Sequence, residues 1–327
     1  MNAAVGNSVL ESNLITPLMR KPDLISKTIN FALDISSYKK KLDSSWWLAP
    51  SSQPEPPAYL KEQFEVTHQK KDIWKIWNIS STPEKSEKAI LFIHGGGFTK
   101  SFMKFHWTMV KDLAAELQQD IIAPDYPILP ESSASEVIYF LTDLYSDLLK
   151  EYGAENLTIV GDSNGGGIAH SLCQFFVKHK VPQPSQLILL SPWLDLTLSN
   201  PLIEDIERDD PLMDVNILRS LGEKYAKSLD ITDYRVSPIY GNIRRIAPTT
   251  LFVGTRDIML ADSRKLRLKA ESEPVVFNYN EFNGMFHDWM FFNFPDAKKA
   301  RDMVISQIKY PPSEAEMALN AGSNFWK

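Results

Sequence analysis

The sequence predicts an α/β fold with a mostly parallel, eight-stranded sheet flanked by helices, and two observations lead to this prediction. From residue 64 onward, short runs with the continuous or alternating hydrophobicity of strands alternate with longer stretches of helical periodicity. Such alternation is typical of parallel strands that are joined by helices. Only the first two strand candidates have almost nothing between them, which predicts an antiparallel hairpin.

The elements follow one another in a regular order. Strands are predicted at residues 64–67, 73–79, 89–93, 121–124, 157–161, 187–190, 250–254 and 275–279. Helices are predicted near residues 105–118, 135–152, 164–178, 214–228, 261–271 and 296–309.

Two segments stand outside this alternation. Between residues 14 and 42, apolar side chains recur at helical spacing, which predicts one or two amphipathic helices, and a proline-rich linker follows at residues 50–57. The N-terminal segment is too short to be a domain by itself, so we expect it to pack over the remainder of the protein. Residues 198–234 are rich in acidic residues and helical patterns, so we interpret them as an insertion at the carboxyl edge of the sheet.

The composition argues against several functional classes. The chain has 327 residues and a formal net charge of −6, whereas binding to nucleic acid or to anionic membranes requires a basic face. The single cysteine cannot form an internal disulfide. No apolar run approaches the roughly 20 residues of a membrane span, and the N-terminus lacks the pattern of a signal peptide. We therefore expect a cytoplasmic protein with no membrane span and no nucleic-acid partner.

The most informative motif surrounds Ser163. An apolar run leads directly into Gly161-Asp-Ser163-Asn-Gly165, and a helical pattern follows. A serine hydroxyl is an effective nucleophile only when it is exposed, oriented and paired with a base. A sharp strand-to-helix turn exposes it, and the glycines avoid clashes in that turn. The context predicts Ser163 as a catalytic nucleophile, although the pentapeptide alone would also fit a glycine-rich turn.

A glycine run at residues 95–97 follows another apolar strand after one histidine. Backbone N–H groups can line an oxyanion hole only where no side chain covers them and the backbone can adopt unusual dihedral angles. We predict that the amides of Gly95 and Gly96, together with that of Asn164, bind the oxyanion of a tetrahedral intermediate. A phosphate-binding loop is the alternative, but the run lacks the Gly-Lys-Ser/Thr ending of a P-loop.

His287 is the best candidate for a general base among the six histidines, because it follows the last predicted strand in a loop at the carboxyl edge. The other five are assigned to packing, surface or loop-bracing roles: His68, His94, His106, His170 and His179.

The acid that orients the histidine should lie between the serine and the histidine in the chain. Asp257 directly follows an apolar strand and could reach His287 Nδ1. The alternatives are Asp195 in a loop, Asp262 on the following helix, and Asp288, which adjoins the histidine in sequence and is expected to point away.

Other residues carry weaker signals. Four aromatic residues could line an acyl pocket, although most such residues belong to cores: Trp46, Trp47, Phe98 and Trp193. Cys173 falls on an apolar helix face and is predicted to be core. No cluster has metal-ligand spacing, so we predict no metal site.

Taken together, these motifs resemble those of the hormone-sensitive-lipase-like branch of α/β-hydrolase carboxylesterases. The matching segments occur in the expected order: His94-Gly-Gly-Gly97, Asp125-Tyr126 with Leu129-Pro130-Glu131, Gly161-Asp-Ser-Asn-Gly-Gly166, Ser191-Pro-Trp-Leu-Asp-Leu-Thr197 and Gly284-Met-Phe-His287. The resemblance extends from about residue 73 to the C-terminus. Asn164 departs from it, because the family often has alanine after the nucleophile.

The resemblance implies an α/β-hydrolase fold with a helical cap. The chain would then comprise N-terminal cap helices and a linker at residues 1–58, and a catalytic domain at 59–327 with a cap insertion at about 198–234. The resemblance also implies no cofactor and often a homodimer. By its pattern the triad is Ser163, Asp257 and His287.

The function predicted from the resemblance is a serine carboxylesterase acting on small-molecule esters with short or medium acyl chains. The sequence does not separate this from an amidase, a lactonase or an acyltransferase with the same triad. A non-catalytic receptor on this fold is a further alternative, but such receptors have typically lost the histidine.

Overall fold

The computed structural model describes residues 22–36, 38–49, 55–82 and 85–311. Predictions at residues 14–21, in the linker at 50–54 and in the tail after 311 lie outside the described residues. Eight strands form one sheet: β1 (Glu65–Lys71), β2 (Trp74–Ser80), β3 (Ala89–Ile93), β4 (Asp120–Pro124), β5 (Leu157–Asp162), β6 (Gln186–Leu190), β7 (Thr249–Arg256) and β8 (Phe277–Phe286). Their order across the sheet is β1-β2-β4-β3-β5-β6-β7-β8.

The sheet is mostly parallel, as predicted. The β1–β2 and β2–β4 pairs are antiparallel, and all the other neighbouring pairs are parallel. Every residue of β3, β4, β5 and β6 is buried, which explains why these strands are continuous apolar runs rather than alternating ones. Strand β8 is longer than predicted, because residues 280–286 continue the pairing with β7 across a bulge between Gly254 and Arg256.

Eleven α-helices lie in the described part of the chain: α1 (Leu24–Ser36), α2 (Tyr38–Lys41), α3 (Ser44–Leu48), α4 (Ala58–Gln63), α5 (His106–Leu117), α6 (Ala134–Tyr152), α7 (Ser163–His179), α8 (Ile203–Asp209), α9 (Val215–Ala226), α10 (Leu260–Glu271) and α11 (Pro295–Lys309). The six helices predicted after residue 100 correspond to α5, α6, α7, α9, α10 and α11. Helices α4 and α8 were not predicted, because six or seven residues are too few to show a helical period. None of the described helices combines the length and apolar character needed to cross a membrane.

Helix α1 is attached near the carboxyl end of strand β8. Asn30 Nδ2 donates a hydrogen bond to the carbonyl oxygen of Gly284 at 2.6 Å. The Asp23 N–H and the Ser26 hydroxyl both donate to Asp296 Oδ2, at 2.9 and 2.7 Å. The N-terminal segment therefore packs against the carboxyl end of β8 and the start of α11.

Arg256, the last residue of β7, connects α1 to the insertion. Its Nη2 lies 2.5 Å from Asp34 Oδ1 on α1, and its Nε donates to the carbonyl oxygen of Asp209 at 3.0 Å. Both outlying segments thus meet beside the residue that precedes Asp257.

Candidate active site

Ser163 lies where strand β5 ends and helix α7 begins. Its backbone has a φ of +51°, which is strained for a residue with a side chain. Such strain is typical of a serine held at a sharp strand-to-helix turn. Gly165 permits the close approach of the helix to the sheet, because a Cβ atom there would lie 2.1 Å from the carbonyl oxygen of Ile93. The turn leaves Ser163 7% exposed.

The structure brings the three predicted triad side chains together. His287 directly follows β8, and its Nε2 lies 3.0 Å from Ser163 Oγ. Asp257 directly follows β7, and both of its carboxylate oxygens lie 3.1 Å from His287 Nδ1. The carboxyl ends of three parallel strands therefore bring a serine hydroxyl, an imidazole and a carboxylate within hydrogen-bond distance, which is the arrangement of a Ser-His-Asp triad.

The amides of the glycine run do not all face the serine. The Gly95 N–H donates to Asp162 Oδ2 at 2.9 Å, so the prediction that Gly95 lines the oxyanion hole needs correction. The Gly97 N–H donates to the side chain of Asn164 at 2.7 Å. Among the described residues, the amides of Gly96 and Asn164 have no hydrogen-bond acceptor. These two N–H groups are the available oxyanion donors.

The Asn164 side chain ties this loop to the sheet. Its Oδ1 accepts the Gly97 N–H, and its Nδ2 lies 3.1 Å from the Tyr126 hydroxyl, which donates to the carbonyl oxygen of His94 at 2.6 Å. The His94 ring stacks on Tyr126 with centroids 4.3 Å apart. Burial lowers the pKa of His94 to about 3, so the ring is neutral and braces the loop, as the sequence suggested.

We expect Asn164→Ala to lower the free energy of unfolding by about 1–3 kcal/mol, because it leaves the buried Gly97 N–H without an acceptor. Urea denaturation measures the change. Asn156→Ala, which removes a partly buried hydrogen bond to the Tyr152 carbonyl oxygen far from the serine, is the matched control and should cost less. Equal midpoints for wild type and Asn164→Ala would contradict the bracing role.

Residues 90–291 match a known protein family, described as the alpha/beta hydrolase fold. The match includes the serine turn, the glycine run and both partners of His287. The chain belongs to the alpha/beta hydrolase fold family.

The relatives of this hydrolase agree with the motifs. It is 35% identical over 216 residues to an esterase of Acinetobacter venetianus, a stretch that covers 64% of this chain and 71% of the relative. It is 26% identical to the hormone-sensitive lipase of Mus musculus over 55% of this chain but only 24% of that longer protein. The crystal structure of an esterase from the bacterial hormone-sensitive lipase family has the same fold, with a TM-score of 0.76 and 18% identity over 89% of this chain and 99% of that chain. These matches confirm the predicted fold, the resemblance and the class of carboxylic ester hydrolases.

A cavity of about 110 Å³ opens onto Ser163 and His287 of the hydrolase. Trp46 lines it, as predicted. Trp47, the other tryptophan that the sequence offered for this pocket, lines it as well. The sequence did not predict the remaining contributors, which come from the N-terminal helices, the insertion and the loops at the carboxyl edge: Leu42, Met103, Phe105, Leu212, Met213, Asp288 and Phe292.

Phe98 and Trp193 lie elsewhere, which corrects the prediction that they line the acyl pocket. The Phe98 ring stacks on Tyr225 of α9, with centroids 3.8 Å apart. The Trp193 indole N–H donates to the carbonyl oxygen of Asp195 at 2.9 Å, and its ring is buried. Both side chains fill the space between the glycine loop and the insertion, so they support the site from behind.

Asp288 does not point away from the histidine, contrary to expectation. Its Oδ2 lies 3.2 Å from His287 Nε2, because the backbone of Asp288 has a φ of +53° and turns sharply after the histidine. Burial lowers the pKa of His287, but the charges and hydrogen bonds of Asp257 and Asp288 raise it more, so the net pKa is well above its usual value. Burial raises the pKa of Asp288 to about 6, although the neighbouring imidazole acts in the opposite direction.

A further buried carboxylate joins the insertion to Asp257. Asp210 Oδ1 accepts the N–H groups of Leu212 and Met213, and its Oδ2 accepts the N–H of Ile258 at 3.0 Å. Burial and then the charge of Asp257 raise the pKa of Asp210 to about 6. No group of histidine, cysteine and carboxylate side chains in the described ranges could hold a metal ion.

Proposed function

We propose that this hydrolase is a serine carboxylesterase that hydrolyses short- to medium-chain carboxylic esters through an acyl-enzyme intermediate. One observation carries the proposal: the hydroxyl of Ser163, the ring of His287 and the carboxylate of Asp257 form a hydrogen-bonded line beside unpaired backbone amides. This arrangement activates a serine for acyl transfer.

In the proposed mechanism, His287 Nε2 accepts the hydroxyl proton of Ser163 while Oγ attacks the ester carbonyl carbon. The Gly96 and Asn164 amides donate to the resulting oxyanion, and one such donor is worth about 3 kcal/mol in the transition state. The imidazolium, which Asp257 stabilises, then protonates the leaving alcohol. A water molecule, deprotonated by His287, then attacks the acyl carbon. The bond between that carbon and Ser163 Oγ breaks, the imidazolium returns its proton to Oγ, and the carboxylic acid leaves.

The lining of the cavity favours a small, apolar acyl group. Its volume of about 110 Å³ is modest, and most of its walls are aromatic or aliphatic side chains. We propose that the N-terminal helices within residues 1–58 and the insertion at 198–234 form a helical cap over a catalytic domain at 59–327. Trp46 and Trp47 from α3 and Met213 from the insertion are the residues by which this cap would select the acyl chain.

A graded panel of p-nitrophenyl esters, from acetate to dodecanoate, tests the substrate class. We expect kcat/KM to be highest for butanoate or hexanoate and to fall steeply for dodecanoate, because longer chains exceed the cavity. A p-nitroanilide and a γ-lactone belong in the same panel. Faster turnover of either one than of the best ester would favour the amidase or lactonase alternative over the esterase.

Stoichiometric labelling by a fluorophosphonate tests the nucleophile, because only an activated serine attacks phosphorus. We expect one label per chain, located on Ser163 by peptide mass spectrometry, and none in Ser163→Ala. Ser171→Ala is the matched control, since this buried hydroxyl lies on the same helix but donates to the Tyr234 carbonyl oxygen. Absence of labelling in a folded wild-type protein would indicate a non-catalytic receptor.

A further inference from the structure

Carboxylates flank both nitrogens of His287. Asp257 lies 3.1 Å from Nδ1, as the proposed mechanism requires. Asp288 Oδ2 lies 3.2 Å from Nε2, the nitrogen that is also 3.0 Å from Ser163 Oγ. The mechanism proposed above gives the second carboxylate no role.

The surroundings of Asp288 hold its carboxylate beside the ring of His287. Its left-handed backbone folds the carboxylate back toward the ring, and its N–H lies 3.3 Å from Ser191 Oγ. Asp288 lines the cavity and is 9% exposed, and its Oδ1 has no hydrogen-bond partner among the described residues. A buried carboxylate with one unpaired oxygen is costly unless its other oxygen has a strong partner. The ring of His287 is that partner.

Asp288 and Ser163 compete for the same nitrogen. When Nε2 carries a proton, the carboxylate of Asp288 attracts it, and the histidine cannot act as a base. When Nε2 has lost the proton, its lone pair accepts the Ser163 hydroxyl, and Asp288 receives no hydrogen bond from the ring. The negative charge of Asp288 therefore favours the protonated, resting form of His287.

On the basis of the serine esterase proposed above, we propose that Asp288 is a positioning residue that shares His287 Nε2 with Ser163 and moves the working range of the enzyme toward alkaline pH. The step it controls is the loss of one proton from the His287–Asp288 pair to solvent. Only after this loss can the Ser163 hydroxyl donate to Nε2.

The other charged groups near the His287 ring either also favour its protonated form or have no hydrogen bond to the ring. Asp257 also favours the imidazolium, and the charges of both Asp257 and Asp162 act on Asp288. Asp210, from the insertion, faces Asp257, and His106 Nε2 lies 3.3 Å from Asp162 Oδ2. The remaining described residues that line the cavity, Ser163 apart, are apolar or glycine. Asp288 is therefore the charged group on the serine side of the ring.

The same carboxylate assists the reaction once the resting proton is gone. Proton transfer from Ser163 creates an imidazolium in the transition state, and Asp288 stabilises that charge as well. Asp288 thus raises the rate at high pH. At low pH it keeps His287 protonated, so that the ring cannot act as a base. Removal of its charge should lower the alkaline plateau and shift the acid limb of the pH profile to lower pH.

The test is the pH dependence of kcat/KM for p-nitrophenyl butyrate between pH 5 and pH 10 in wild type and Asp288→Asn. We expect the acid limb to shift down by about 1–2 pH units, the size of shift that one adjacent charge produces. We expect the plateau to fall by roughly 3–10-fold, because tenfold corresponds to one pKa unit of lost stabilisation. Asp288→Gly, which suits the left-handed backbone, should shift the limb in the same direction.

Asp262→Asn is the matched control. Burial likewise raises the pKa of Asp262 to about 6, but its carboxylate accepts a hydrogen bond from Asn200 rather than from the ring. Its acid limb should coincide with that of wild type. An NMR titration of the His287 ring in Ser163→Ala, with and without Asp288→Asn, measures the same pKa shift without relying on turnover.

The outcomes separate the two proposals. Full activity of Ser163→Ala would overturn the serine esterase itself. If Ser163 is required but the Asp288 variants keep both the wild-type acid limb and the His287 titration, the role of Asp288 is overturned and the esterase stands. A limb that shifts equally in Asp262→Asn would show a general effect of buried charge and would also overturn it.

Discussion

Replacing Ser163 with alanine is expected to lower kcat/KM for p-nitrophenyl butyrate by roughly 10⁵-fold or more without unfolding the protein. Alanine keeps the backbone turn between β5 and α7 and removes only the oxygen that lies 3.0 Å from His287 Nε2. Ester binding in the cavity and the two free amides remain. The residual rate should be that of solvent attack on a bound, polarised ester.

His287→Ala should cost nearly as much, and the double variant little more than either single one. A nucleophile without a base and a base without a nucleophile are equally ineffective, so their free-energy losses do not add. Steady-state kinetics of the four proteins measures this cycle, with circular dichroism as the check on folding. His170→Ala is a control for the loss of a buried histidine, since His170 contacts Gln174 rather than the serine. Additive losses for Ser163 and His287 would show that they do not act as one unit.

The strands could be predicted because a strand that is buried on both faces appears in the sequence as a continuous apolar run. Strand β3 is a run of five apolar residues, and its predicted and observed bounds coincide. The predicted strands also locate Ser163, Asp257 and His287, because each residue directly follows a strand and parallel strands end at the same edge of the sheet. Asp257 was preferred to Asp195 and Asp262 because it directly follows an apolar strand, whereas they were placed in a loop and on a helix.

Side-chain partners at the site could not be predicted in this way. Gly95 and Gly96 are neighbouring glycines, so the sequence cannot separate their roles. Only the position of the Asp162 carboxylate decides which of the two amides already donates a hydrogen bond. Asp288 was expected to point away because it adjoins the histidine in sequence. Its left-handed backbone overturns that expectation, and no sequence pattern reports a φ of +53° at an aspartate.

The cavity walls were hardest to predict, because they come from segments without a motif. Trp46 and Trp47 are adjacent in sequence, and both line the cavity from the short helix α3. Phe98 lies next to the glycine run in sequence, yet its ring turns to Tyr225 on the insertion. Which aromatic residue meets the substrate depends on how two distant segments pack over the sheet, and hydrophobic periodicity does not encode that packing.

Gly165→Ala is expected to lower the free energy of unfolding by about 3 kcal/mol or more, the upper part of the range for overpacked cores. A Cβ atom at residue 165 would lie 2.1 Å from the Ile93 carbonyl oxygen and 2.5 Å from that of His94. Both oxygens belong to backbone at the end of a buried strand, so neither can move without displacing the strand or the helix. The gain of about 1 kcal/mol in helix propensity is too small to offset this.

The same displacement should reduce activity in the molecules that remain folded, because α7 carries Ser163 and β3 leads into the glycine loop. Gly222→Ala on α9 is the milder control: its Cβ would lie 3.0 Å from Leu196 Cβ and 3.3 Å from the Leu196 carbonyl oxygen, so the overlap is a few tenths of an ångström rather than more than one ångström. We expect that variant to change stability by about 1 kcal/mol or less in either direction. Urea denaturation and fluorophosphonate labelling of both variants measure the two effects. If Gly165→Ala were as stable and as reactive as Gly222→Ala, close contact between the serine helix and the glycine loop could not be what holds the nucleophile beside its oxyanion donors.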